Sequence, residues 1–353
     1  MNQERGFSVP VDLIRTVAIV GIILLHASND LTIQQMTQLE IYRWCTVDVY
    51  QSIGRLGVPL FVMLTGALLL QPSKNESLSV FFKKRWARIG IPFLFWGAAY
   101  FAWDFFVEHQ VFTSKAIIQD VLTGPYYQFW YLYMLVGLYL LTPILRILVA
   151  HAESKIMRYF VILWFFSASI VPFVGLLTTY YLDSNVLIIT GYVGYFILGT
   201  YLLTVQMRRS TIMIFMSLGV ALTAIGTYIL AATVGGGEMY FFQEYFSPTL
   251  IFAAVMLFLL LNTIQPPSNN NQETSHPKAN KLLKVISQNS LPIFLFHVMV
   301  LESLQRGYFG FAINGNTINS IIGVPLITVV TLFISLGVII PLKKVPVLKK
   351  LIG

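Results

Sequence analysis

Charge is scarce in this chain. Of its 353 residues only 11% are Asp, Glu, Lys or Arg, against about a quarter in soluble globular domains, which excludes a water-soluble enzyme or binding module. Cysteine is nearly absent. Cys45 stands alone, which excludes an internal disulfide framework and any cysteine-rich metal centre. Internal repeats are lacking, and so is any loop long enough for an extramembrane catalytic domain, so the chemistry must sit in the helices or their short loops. What the chain has instead is apolar sequence: 56% of it is hydrophobic and its mean hydropathy is +0.73. The net charge of +8 comes from basic residues in short turns between apolar runs. That is the pattern of membrane topology and argues against a nucleic-acid partner.

A helix needs about 20 mostly apolar residues to cross a bilayer. Ten such stretches run at roughly 10–28, 52–70, 88–107, 129–149, 157–177, 186–204, 211–233, 247–264, 287–304 and 318–341. They predict an all-α, polytopic membrane helix bundle, a single domain over 1–353, with the lipid bilayer of the cell (plasma or inner) membrane as its surroundings. Ten spans put both termini on one side. With the N-terminus in the cytoplasm, eighteen of the 23 Lys and Arg fall in the tail and the inner turns. Only Arg43, Lys115 and Arg306 fall in outer loops, while Arg15 and Arg55 lie within or at the edge of spans. This positive-inside bias assigns both termini to the cytoplasm. The first run contains an arginine and a histidine and no small-residue cleavage pattern, so it reads as a span and not as a signal peptide. Residues 265–286 are polar and Asn-rich from Ser268 to Gln272, and read as a flexible cytoplasmic linker inside the domain.

Ionisable residues within spans are costly, and their default reading is functional. The first span carries Asp12, Arg15 and His26. Arg15 and His26 are three helical turns apart, about 16 Å along the axis, and share nearly one face. A cation near the cytoplasm and an imidazole further out point to a route across the membrane. Snorkelling of Arg15 toward the interface beside Asp12 is the plain alternative. At the mouth of the third span, Arg85 and Arg88 sit at i, i+3 and share a face. They serve as an interfacial anchor, or as two forks for phosphate oxygens. In the ninth span, Ser290 to Phe296 leads into His297, a second embedded histidine. Two histidines without a nearby cysteine make a poor zinc set, so no metal is expected. Ten of the fifteen acidic residues fall on the outer side, among them Asp30, Glu40, Asp48, Asp104, Asp183 and Glu302. Tyr126, Tyr127, Trp130, Tyr180, Tyr181, Tyr240 and Tyr245 accompany them, as an interfacial belt or as faces for sugar rings.

Taken in order along the chain, these motifs resemble the acyltransferase 3 family of membrane acyltransferases. Asp12 to Arg15 matches its Asp-x-x-Arg opening, and Arg15 with His26 its Arg-x10-His signature. Arg55-Leu56-Gly57-Val58-Pro59-Leu60-Phe61 resembles its second-span entry, with Thr65-Gly66 where the family usually has Ser-Gly. Arg85 and Arg88 fall on its Arg-x-x-Arg motif, Phe129 to Leu132 and Tyr139 to Pro143 on its fourth span, and Gly194 to Gly199 on a small-residue motif. Ser290 to His297 matches its Ser-x6-His element. The size is similar to that of the stand-alone O-acetyl- and O-succinyltransferases of surface polysaccharides. The resemblance implies transfer of an acyl group, usually acetyl from acetyl-CoA, to a hydroxyl of an extracytoplasmic glycan or lipid-linked saccharide. Acyl-CoA is then a cosubstrate, and no cofactor is bound permanently. Arg85 and Arg88 would hold CoA phosphates and Arg15 would position the donor. His26 would act as base or nucleophile, and His297 would carry a proton or orient the acceptor. Arg55 and Trp130 would belong to the acceptor side. A polysaccharide exporter or proton-coupled transporter is the competing expectation, since an Arg–His stripe also suits transport.

Overall fold

A computed structural model of the chain describes residues 10–29, 41–71, 76–178, 191–234, 236–264, 277–313 and 318–353. Among the described residues every regular element is helical and there is no strand. Asp30, Glu40, Tyr180, Tyr181 and Asp183 lie outside them.

Over the described residues each predicted stretch falls mainly on a helix, most of them within one span each. α1 is Val11–Asn29. α2 (Ile41–Gly54) and α3 (Gly57–Leu69) are joined by a turn at Arg55-Leu56 and run on as one span of 29 residues. α4 (Leu78–Arg85) starts on Ser77, whose hydroxyl accepts from the Val80 amide. It continues through a π-turn at Trp86–Gly90 into α5 (Ile91–Phe106), again 29 residues in all. The second and third spans thus begin about ten residues earlier than the apolar pattern implies. Hydropathy marks only the hydrocarbon layer, whereas a helix satisfies its own backbone and can run on past it. The short α6 (Ser114–Thr123) leads to α7 (Trp130–His151). α8 (Ser154–Phe165) and α9 (Val171–Thr178) are joined by a second π-turn. α10 is Gly191–Leu202, α11 is Arg209–Thr233, and α12 (Pro248–Asn262) is capped by Ser247 with Pro248 in its first turn.

Eight helical stretches are long and apolar enough to cross a membrane. A ninth arises if α13 (Pro277–Gln288) and α14 (Ser290–Arg306), bent by 79° at Asn289, are one broken span. Over the described residues α10 has 12 residues, and the start of the stretch expected there, 186–190, lies outside them. α15 (Ser320–Leu342) and the short α16 (Pro346–Ile352) close the chain. The stretch read as a flexible linker, 265–286, is helical from Pro277 on, and 265–276 lie outside the described residues. In α13 the lysines 278, 281 and 284 alternate with Leu282, Leu283, Val285 and Ile286, an amphipathic pattern that a polarity average conceals.

Small residues set the packing. α3 and α10 meet backbone to backbone: a Cβ on Gly66 would stand 1.7 Å from the Phe196 carbonyl oxygen, and one on Gly199 1.9 Å from that of Met63. Such close approach is how helices associate in lipid, where apolar surface alone gives no preference for a partner helix. α1 lies at the centre, against α2, α3, α13, α14 and α15. The fully buried residues Ile14, Ala18, Ile19, Ile22 and Ile23 keep it there and hold Arg15 and His26 inside the bundle.

Candidate active site

Three of the predicted residues converge. Arg15 from α1, Arg85 from the end of α4 and Arg88 from the π-turn line one cavity of about 210 Å³. None of the three makes an ion pair among the described residues. Like charges gathered on one cavity raise one another's energy, Asp12 beside Arg15 offsets part of that charge, and guanidinium forks suit an anionic ligand. Arg85 is held by ring faces, its Cζ lying 5.3 Å from the Phe81 centroid and 5.6 Å from that of Tyr139, and its Nε is buried without a hydrogen-bond partner. Arg88 lies within the π-turn that directly follows Arg85, and such bulges often mark functional sites.

The break at Asn289 supplies a fourth feature. The Asn289 side chain donates to the Val285 carbonyl at 2.7 Å and closes α13. α14 then starts afresh at Ser290, and Ser290 and Leu291 line the arginine cavity. The positive dipole end of a 17-residue helix therefore lies at the same space. Thr65, Tyr131, Tyr139 and Phe294 complete the lining. Thr65, which stands where the resemblance expects serine, donates to the Phe61 carbonyl at 2.6 Å.

The two histidines, 271 positions apart in sequence, meet above this cavity. Tyr131 and Phe294 pack at 5.1 Å between centroids, and Phe294 contacts His297 at 6.0 Å. His297 and His26 lie 5.3 Å apart, and the far side of His26 contacts Tyr127 at 5.1 Å. The tautomer of His297 follows from its partners. Its Nδ1 is 2.8 Å from the Phe294 carbonyl and 3.2 Å from that of Ile293. Carbonyls only accept, so Nδ1 carries the proton and Nε2 of the neutral ring is a bare acceptor. That Nε2 is buried with no partner, and so is Nδ1 of His26. His297 is 0% exposed, whereas His26 is half-buried. Of the two, only His26 is partly exposed.

Trp130 and Arg55 come together as well, through residues to which the sequence reading gave no joint role. Trp130 lies 5.7 Å from both Tyr192 and Tyr245, and the Arg55 Cζ lies 5.7 Å from the Tyr245 ring. Arg55 is within electrostatic reach of His26. Arg55, expected at the outer mouth of the second span, occupies the turn between α2 and α3, within a helical stretch that begins at Ile41. Beyond Tyr127 the Tyr126 hydroxyl donates to Glu302 at 2.6 Å, and Arg306 bridges Glu302 and Glu108. Among the described residues no group of three His, Cys, Asp or Glu side chains could hold a metal ion.

A polytopic helical bundle with three arginines on one cavity and a histidine pair inside it defines the class: a membrane protein with ionisable side chains gathered among its helices. The family model described as an acyltransferase domain matches residues 10–340, and the chain belongs to the acyltransferase 3 family. It is a multi-pass membrane acyltransferase. No curated protein and no solved structure matches it.

Proposed function

We propose that the protein transfers an acetyl group from acetyl-CoA, taken from the cytoplasmic side, to a hydroxyl of an extracytoplasmic glycan or lipid-linked saccharide. It does so in the cell membrane, with both termini in the cytoplasm. The observation that carries this reading is the convergence of Arg15, Arg85 and Arg88, none of them in an ion pair among the described residues, on the N-terminal end of α14. CoA brings phosphates, and guanidinium forks and helix amides are the groups that bind them. Tyr131 and Phe294 line the cavity and lead by ring contacts to His297 and His26, so with its phosphates on the arginines the donor would extend its thioester along these rings toward His26.

The chemistry then balances simply. The acceptor oxygen attacks the thioester carbonyl carbon and its proton passes to the imidazole of His26, which acts as the general base. The C–S bond breaks, and the CoA thiolate leaves and takes up that proton, giving an ester and a thiol. His297, fully buried behind His26, offers a bare Nε2 that holds the ring or shares its proton. Arg55 is placed to face negative charge developing on the carbonyl oxygen, and Trp130, Tyr192 and Tyr245 offer ring faces to a sugar. An exporter would draw on the broken α13–α14 pair, but among the described residues that is the single bent pair, whereas transporter sites use matched broken helices from two repeats.

The test is thiol release from acetyl-CoA by the purified protein in nanodiscs, with an oligosaccharide acceptor. Wild type turns over and His26→Ala loses at least a hundredfold in kcat. Turnover by His26→Ala at the wild-type rate removes His26 from the reaction, and no turnover by any form with any acceptor removes the reading.

A further inference from the structure

Beside the arginine cavity lies a second space that the reaction above does not use. It measures about 380 Å³ and is walled by Phe82, Trp86 and Phe93 on one side and by Leu132, Val136 and Leu140 on the other. The second set is an i, i+4, i+8 stripe on α7. The first is aligned by the π-turn: the Trp86 ring lies against Gly90, where a Cβ would meet it at 2.4 Å. Trp86 and Leu140 are each 61% exposed and Val136 47%, so the groove opens sideways, toward hydrocarbon in a bilayer. Its lining is apolar apart from Tyr133 and, at the end shared with the arginine cavity, Arg85 and Tyr139. Lys83 and Lys84 are exposed next to Arg85.

We propose that this groove holds one tail of an anionic phospholipid whose phosphate sits on Arg85, so that bilayer lipid and acyl donor draw on the same guanidinium. Charge complementarity selects the occupant. An apolar slot ending in a cation, flanked by lysines and by an exposed tryptophan, matches an acyl tail joined to a phosphate at the membrane interface. A neutral tail would leave the Arg85 Nε, already without a partner, unmatched. The lipid site stands on the groove alone, whereas its effect on the donor rests on the acyl-transfer reading.

The experiment uses the full chain in nanodiscs of phosphatidylcholine, with and without phosphatidylglycerol. Lipid retained by the protein is read by native mass spectrometry, and the acetyl-CoA KM is measured in both discs. Wild type is expected to retain phosphatidylglycerol in preference to phosphatidylcholine, a comparison that needs no variant, and to show a several-fold higher KM when that lipid is present. Val136→Trp and Leu140→Trp fill the groove from α7 and are expected to lose the retained lipid and most of the KM rise. An anionic surface repels acetyl-CoA from every variant alike, so only the difference between wild type and the filled groove reports the site. Equal retention of the two lipids by wild type overturns the proposal. Undiminished retention, or an undiminished KM rise, in both tryptophan variants overturns it too. Selective retention without any turnover supports the lipid site and counts against acyl transfer.

Discussion

His297 shows how backbone partners can fix the protonation pattern of a buried residue. With its Nδ1–H committed to the Phe294 carbonyl, it presents one bare nitrogen in a space that holds another histidine. His297→Asn keeps an N–H donor near that carbonyl but removes the bare nitrogen. The account predicts a fall in kcat of about ten- to a hundredfold with little change in the acetyl-CoA KM. A merely structural role would instead lower melting temperature and move both constants together. At this scale the sequence was partly legible. Arg15, His26 and His297 stand out because ionisable groups are expensive in apolar helices. Their partners do not stand out: Tyr127 and Phe294 are ordinary aromatics until the fold sets them against an imidazole.

At the scale of elements, the apolar runs are legible because lipid demands them. The breaks are not. Nothing in hydropathy distinguishes a straight ninth span from one bent by 79° at Asn289, since Asn289 and Pro292 suit a helix start as well as a kink. Yet that bend aims the N-terminal end of α14 at the arginines. The α3–α10 contact was visible only as a small-residue pattern, and its consequence is sharp. Gly66→Ala or Gly199→Ala drives a methyl into a carbonyl oxygen and should cost about 1–3 kcal/mol or more. A large drop in melting temperature or the loss of a monodisperse peak on size exclusion would register it. Gly137→Ala on α7, with nothing within 4 Å of the added methyl, is the control, expected to be neutral or mildly stabilising.

At the scale of the whole molecule, the bundle divides into a basic end and an acidic, aromatic end. Glu76 ties the basic end together. It bonds Lys84 at 2.8 Å and Arg146 at 3.2 Å, and the Arg146 Nε also donates to the Leu69 carbonyl. The hydrogen bond from Lys84, with Arg146 beside it, holds the Glu76 carboxyl below its ordinary value. A depressed carboxylate contributes stability that is fully present above the ordinary carboxylate range and is lost as pH falls through its folded-state value. Glu76→Gln should therefore lower the melting temperature at pH 7, and the gap to wild type should narrow below about pH 4. A gap constant over that range would mean that the ion pairs contribute nothing. An expectation of orientation is legible in the lysines and arginines alone, because translocation is sensitive to them. Their gathering into one cavity was not, because Arg15 and Arg88 reach it from helices more than seventy residues apart in sequence.

The most direct test of the central claim is the affinity of acetyl-CoA for the purified protein, measured beside the Arg85→Ala/Arg88→Ala double variant, with dephospho-acetyl-CoA as a second ligand. The account predicts that wild type binds acetyl-CoA and that the double variant binds it at least tenfold more weakly, about 1.4 kcal/mol. It also predicts that removing a ligand phosphate costs wild type more than it costs the variant. Equal affinity of wild type and variant, or no detectable binding to either, would contradict it.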